Sequence, residues 1–286
     1  MHESKAGQQA GLKSGEVLLR CEGALAIVTI ANPAKLNAMS RHMWQQLRSV
    51  FESIQGNKNA GCVLISGKNS ANSIKSFSAG GDISEYPSFR FSEDSLREFH
   101  EVDVWGGLQA MLDCDVPIVA QIEGACMGAG LEIASCCDIR IAGTSAKFGA
   151  PIAKLGFPMA PKEAALVLNA VGALTAREML LEAGVLDAPT MLQRGFVNRV
   201  VDDAEVANSA MQSVNRILAL APQAARLNKQ TFRSLNKPVA GVFIADKAIN
   251  SIVNPADESY AYAASAEHQE GISAFIAKRK PIWTKE

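Results

Sequence analysis

Short β-rich apolar runs alternate with helix-period segments from about Val17 to residue 200, and a helical stretch follows. That alternation restricts the fold more than any other feature of the chain. It reads as an α/β core with an appended helical region. Val17 to Ile30 has the pattern of a strand hairpin, with Cys21-Glu22-Gly23-Ala24 as its turn, and Asn32-Pro33 ends it. Ser40 suits the N-cap of a helix whose apolar positions are Met43, Leu47, Val50, Phe51 and Ile54. Cys62 to Gly67 reads as a buried strand, Lys68 to Ser76 as a polar loop and Ser92 to Leu112 as one long helix. Val116 to Ile122 predicts a strand, with Pro117 near its start where a missing N–H is tolerated. Leu131 to Cys137 predicts a short apolar helix, and Ile139 to Ala142 and Ala146 to Phe148 two short strands. From Pro161 onward the pattern is helical apart from one strand, Phe196 to Val201. The division that follows is a polar, frayed tail over 1–15, a core over 16–200 and a helical region over 201–286.

Several functions are poor fits. Apolar residues are 48% and charged residues 20% of the 286, as in ordinary globular chains, so disorder is excluded. A formal net charge of -1 offers no general attraction for nucleic acid. No run of about 18 apolar residues exists to span a membrane. Met1 to Gly15 lacks the apolar centre of a secretory signal. The cysteines at 21, 62, 114, 126, 136 and 137 form no CxxC pair, and the four histidines are scattered. Neither a disulfide framework nor a metal site is expected, and a reducing cytoplasm is the simplest compartment.

Two small-residue turns hold the chemical interest. The first is Phe77-Ser78-Ala79-Gly80-Gly81-Asp82; the second runs from Gly124 to Gly130 and opens into a helix at Gly128-Ala129-Gly130. Glycine and alanine let a ligand approach the backbone, and the first N–H groups of a helix are unpaired. Converging on one point, the two turns would make an oxyanion hole. Taken singly, each also reads as a tight connection. A dinucleotide loop fails on spacing, because Ile133 stands where a third glycine belongs. Glu132 follows inside an apolar stretch. It suits either proton transfer, with burial raising its pKa, or a structural hydrogen bond to backbone.

These two segments, the second taken as Pro117 through Asp138, resemble the signature segments of the crotonase superfamily of enoyl-CoA hydratases, isomerases and relatives. The similarity extends to Asn32-Pro33-Ala34-Lys35-Leu36-Asn37-Ala38-Met39 and to Glu270 through Lys280. The resemblance implies a spiral of ββα units whose C-terminal helices assemble homotrimers, often paired as hexamers. It implies an acyl-CoA thioester substrate, coenzyme A being part of the substrate rather than a separate cofactor, and stabilisation of a thioester enolate. By position, the Gly81 and Ala129 amides form the oxyanion hole and Glu132 is the acid/base. Lys35, Leu36, Ala38, Ala79, Asp82 and Ile83 match the family's adenine and pantetheine contacts. Phe275 and Lys278 match residues that reach CoA on a neighbouring subunit.

The chain also departs from the family. Hydratases carry a second glutamate where this sequence has Ile152, so Ile152 is expected to line the acyl pocket instead, and the loop Gly156 to Lys162 lacks the usual glycines. Isoleucine moves no proton. Glu132 then serves alone, or Lys162 or Glu163 substitutes, although a carboxylate at position 163 also suits a first helical turn for structural reasons. Asp138 reads as structural. Enoyl-CoA hydration is the expected reaction. Isomerisation, decarboxylation, thioester hydrolysis or mere CoA-thioester binding are the alternatives.

Overall fold

The computed structural model describes residues 15–69, 74–235 and 265–283; all but one residue of the expected tail lies outside them. The elements are β1 (Glu16–Glu22), β2 (Leu25–Ala31), α1 (Arg41–Gly56), β3 (Cys62–Gly67), β4 (Ser76–Ser78), α2 (Glu93–Glu98), α3 (Trp105–Asp113), β5 (Ile118–Ile122), β6 (Ala125–Met127) and α4 (Ala129–Ser135). Then come β7 (Ile139–Gly143), β8 (Lys147–Gly149), α5 (Pro161–Val171), α6 (Ala173–Leu181), β9 (Val185–Asp187), α7 (Ala188–Gln193), β10 (Arg199–Val201), α8 (Val206–Leu218), α9 (Pro222–Leu235) and α10 (Ala266–Ile276).

Two sheets form, ordered β1-β2-β3-β5-β7-β10 and β4-β6-β8-β9. β3, β5 and β7 each enter the first sheet, and the strand that follows each of them, β4, β6 or β8, enters the second. The chain thus climbs in ββ steps separated by helices, and β2, β3, β5, β7 and β10 run parallel. Among the strand pairs of the described residues, the hairpin β1–β2 and the pair β8–β9 are antiparallel. Parallel strands covered on both faces need apolar side chains throughout, and β3 and β5 are buried along nearly their whole length. One large core, with Trp44, Phe51, Phe77, Phe148 and Phe196 fully enclosed, lies between the sheets and helices.

Local chemistry explains most boundaries. Ser40 caps α1 by accepting the Met43 N–H at 3.2 Å, and Met43, Leu47, Phe51 and Ile54 face the core. Several expectations need correction. The expected helix from Ser92 to Leu112 is interrupted by a π turn, Phe99–Val104. Within it the buried Asp103 accepts hydrogen bonds from Arg41 Nε and from Gln45 Nε2, at 2.5 and 2.8 Å. The second glycine turn contains a strand, β6, and the helix after it starts at Ala129 rather than Leu131. The strand expected over Phe196 to Val201 shrinks to β10, because Phe196 N–H bonds back to Met191 at 3.0 Å. A further strand, β9, pairs with β8.

Gly124 joins β5 to β6 with φ +65°, and a Cβ there would lie 1.8 Å from the Lys75 carbonyl oxygen. Gly124→Ala is therefore expected to cost at least about 1–2 kcal/mol from left-handed backbone alone, before the displacement of β4. Urea unfolding of the variant against the parent measures it.

Candidate active site

The two glycine segments meet face to face. A Cβ on Gly80 would lie 3.5 Å from the Met127 carbonyl oxygen, one on Gly128 3.6 Å from Gly80 Cα, and one on Gly130 2.7 Å from the Ser78 carbonyl oxygen. The last distance leaves no room for a methyl, so Gly130 lets α4 start directly against β4.

The amide directions follow from the pairing. Met39 bridges Gly81 as a parallel partner: its N–H donates to Gly80 O and its carbonyl accepts from Asp82 N–H, both at 2.8 Å. Bridging through the two neighbours turns the Gly81 N–H to the other side, and it has no acceptor among the described residues. Ala129 is the first residue of α4, where a backbone N–H has no partner within the helix. It likewise has none among the described residues. Gly128, with φ +46°, makes the bend and is fixed by its own N–H to Gly149 O at 2.8 Å.

Glu132 lies one turn further along α4 and is only 6% exposed. Its carboxyl meets no hydrogen-bond donor among the described residues, yet neither oxygen is sealed off, so the structural alternative of a backbone bond is not what is seen. Burial first, and then the negative charge of Glu163, push this carboxyl well above the ordinary glutamate range. The C-terminal end of α4 is held by Arg140, whose Nη1 donates to the Ala134 and Cys137 carbonyls at 3.1 and 2.5 Å. A raised carboxyl favours the fold while protonated, and that contribution drains away as pH climbs from the unfolded value toward the folded one. Glu132→Gln is accordingly expected to gain stability over the parent as pH rises above the ordinary glutamate range, read as the separation of urea midpoints.

Three residues to which the sequence assigns no role at the site complete the surroundings: Tyr86, Arg90 and His100. A Cβ on Gly81 would fall 2.2 Å from the Tyr86 hydroxyl, so Tyr86 abuts Gly81. Burial pushes the Tyr86 phenol up to about 12. Arg90 stacks over Phe157 at 3.5 Å and over Tyr86 at 4.7 Å, and burial lowers its pKa. Glu163, which suits a merely helical role on sequence, is 4% exposed and pairs with His100 at 2.8 Å. Ile152 is partly buried against the core in the short turn Ile152–Leu155. Lys162 is exposed and paired with Glu101 instead. Asp138 accepts the Ile118 N–H at 2.7 Å and pairs with Lys229 at 2.8 Å, a structural role.

The matched loop residues also come together. Leu36 O accepts from Ala79 N–H at 2.9 Å, which lays Lys35, Leu36 and Ala38 beside Ala79, Asp82 and Ile83. Lys35 Nζ reaches Asp82 Oδ2 at 2.7 Å and Ser84 Oγ at 2.8 Å. Burial alone would push the Asp82 carboxyl up, but the hydrogen bonds from Lys35 and Ser84 outweigh it and hold the group below the usual carboxylate range. Phe275 and Lys278 stand elsewhere. Phe275 is 85% exposed at the end of α10, a segment tied to α9 through Glu267 and Gln223 N–H at 2.9 Å.

Two largely parallel sheets joined through two facing glycine loops, one of which opens the helix that carries a buried carboxyl of raised pKa, make the frame of an α/β enzyme. The chain belongs to the enoyl-CoA hydratase/isomerase family, whose description, Enoyl-CoA hydratase/isomerase, matches residues 20–286. A short-chain-enoyl-CoA hydratase of Clostridium acetobutylicum is 31% identical over 94% of this chain and 97% of its own length. A crotonyl-CoA hydratase of Syntrophomonas wolfei is 28% identical, covering 92% and 96%. The crystal structure of an enoyl-CoA hydratase/carnithine racemase from Magnetospirillum magneticum superposes with a TM-score of 0.84 at 34% identity, covering 94% and 96% of the two chains.

Proposed function

We propose that the protein is an enoyl-CoA hydratase, adding water across the 2,3 double bond of a 2-enoyl-CoA through a thioester enolate. The observation that carries the reading is the pair of amides, Gly81 and Ala129, that have no acceptor among the described residues and lie on facing loops, the second opening the helix of the buried Glu132. Two donors fixed before the substrate arrives stabilise charge on the thioester oxygen without reorganisation. Glu132, holding its proton, delivers it to the α-carbon as the enolate collapses. The methyl of Ala129, where the family commonly has glycine, leaves its amide unaltered.

Coenzyme A enters as part of the substrate, and the reading calls on no further cofactor. Lys35 is the natural contact for its phosphates, since its side chain is half-exposed at the loop mouth while its ammonium is held by Asp82 and Ser84. Leu36, Ala38, Ala79, Asp82 and Ile83 line the path of adenine and pantetheine, and Ile152 the acyl side. Phe275 and Lys278 act on a neighbouring subunit of a homotrimer or a dimer of trimers. Exposed apolar side chains on α5 and α6, Leu168, Leu174 and Leu181, support such an assembly. Among the described residues no helix is long and apolar enough to cross a membrane, and the five buried free cysteines fit a reducing cytoplasm.

The test is direct. The purified protein is mixed with a short 2-enoyl-CoA and the conjugated thioester absorbance is followed. Loss of absorbance that disappears in Glu132→Gln supports the reading. Tight CoA-thioester binding with no turnover of any chain length makes the protein a binder instead.

A further inference from the structure

Hydration moves two protons, one off the attacking water and one onto the α-carbon. With Ile152 at the family's second carboxylate position, Glu132 leaves one of these transfers without a group. The structure offers a replacement on a different element. Glu163 stands in the first turn of α5, which packs against α4 and so against the helix that carries Glu132. A carboxylate placed there only to favour the helix would stay in solvent or bond the free amides of its own first turn. Glu163 does neither. It is buried, α5 has no side-chain cap, and its Oε1 pairs with His100 Nδ1, 63 residues away, at 2.8 Å.

The surroundings tie this carboxylate to the amide loops. His100 belongs to the π turn, a helical irregularity that re-aims side chains. Its Nε2 lies 3.4 Å from Arg90 Nη1. Arg90 stacks over Tyr86, and the Tyr86 hydroxyl abuts Gly81. A continuous set of contacts therefore runs from Gly81 to Glu163. One carboxylate oxygen is fixed by His100. The other meets no donor among the described residues and is not sealed off. An oxygen held in that way is available to a small ligand such as water.

On the hydratase reading above, we infer that Glu163 is the second catalytic carboxylate, the base that takes a proton from the attacking water, and that His100 positions it. As the water oxygen bonds to the β-carbon, its proton passes to Glu163. The double-bond electrons move to the α-carbon and onto the thioester oxygen, held by the Gly81 and Ala129 amides. Glu132 then gives its proton to the α-carbon as the enolate collapses. One proton has left the water and one has left Glu132, so the product gains the elements of water. Transfer of a proton from Glu163 back to Glu132, directly or through solvent, resets the site. Burial and the Glu163 charge raise the Glu132 carboxyl, which suits Glu132 to the donor's part in the separation of roles that two neighbouring carboxyls need.

The experiment compares steady-state hydration of a short 2-enoyl-CoA across pH for the parent chain, Glu163→Gln, Glu132→Gln and His100→Gln. Circular dichroism and thermal melts check folding. The titratable neighbours that shape these profiles are Glu132, His100, Arg90 and Tyr86. Glu163→Gln is expected to lower kcat ~10²–10⁴-fold with KM little changed and to remove the acid-side fall of the kcat profile. His100→Gln is expected to lower kcat less and to displace that fall, which a purely structural contact would not do. Adding Ile152→Glu to Glu163→Gln is expected to recover part of the lost rate. Should glutamine unfold the chain, Glu163→Asp retracts the carboxylate and is expected to lower kcat with the fold kept. Parental kcat in folded Glu163→Gln or Glu163→Asp, alongside lost turnover in Glu132→Gln, overturns this inference alone. Absence of hydration by the parent chain overturns the hydratase reading and the inference together.

Discussion

Glu132→Gln is expected to lower the kcat of enoyl-CoA hydration ~10²–10⁴-fold while leaving CoA-thioester affinity near that of the parent. The argument rests on what surrounds the carboxyl. It is buried on α4, no donor among the described residues bonds it, and neither of its oxygens is sealed off. Glutamine matches its size and carries no transferable acid proton. The helix itself stays anchored, since Arg140 holds its last carbonyls independently of residue 132. Stopped-flow loss of thioester absorbance gives kcat, and calorimetric titration with a saturated acyl-CoA gives affinity. A variant that hydrates at the parental rate removes Glu132 from the reaction.

Gly81→Pro is expected to remove one of the two amide donors and with it roughly 2.7–4 kcal/mol of transition-state stabilisation, about 10²–10³-fold in kcat. The pairing with Met39 survives in principle, because it uses Gly80 O and Asp82 N–H and not the Gly81 N–H. The obstacle is steric: a Cβ at 81 meets the Tyr86 hydroxyl at 2.2 Å. The comparison is therefore made in a Tyr86→Phe background, Gly81→Pro/Tyr86→Phe against Tyr86→Phe alone, with melting curves for both. Equal kcat in two folded proteins withdraws the amide from the mechanism.

Much of this was legible in the residues themselves. Ser40 and the apolar spacing after it marked α1 and its buried face. The short β-rich runs marked β1 to β3, β5 and β7, most clearly β3 and β5, because a strand buried on both sides has to be apolar along its length. The two glycine segments and Glu132 were visible as a cluster, since close approach of two backbones excludes side chains. Other features depend on distant pairing. β9 is three residues between helices, and only the edge of β8 makes it a strand. β6 hides inside a glycine turn for the same reason. His100 is one scattered histidine on sequence, and its aim depends on the π turn around it. Glu163 followed the helix-start pattern well enough to pass as a helix-stabilising carboxylate, and only burial against α4 and the bond to His100 set it apart.

The glycine seam between the loops has a consequence for how such a protein can diversify. With Gly130 pressed on Ser78 O, and Gly80 and Gly128 held at φ +116° and +46°, a side chain at any of the three would displace or strain the loops of the proposed site. The wall formed by Tyr86, Arg90 and Phe157 is made of large side chains stacked on one another, and these can be exchanged one at a time. New substrate preference, whether selected in nature or in the laboratory, will therefore accumulate in that wall while the seam stays as it is.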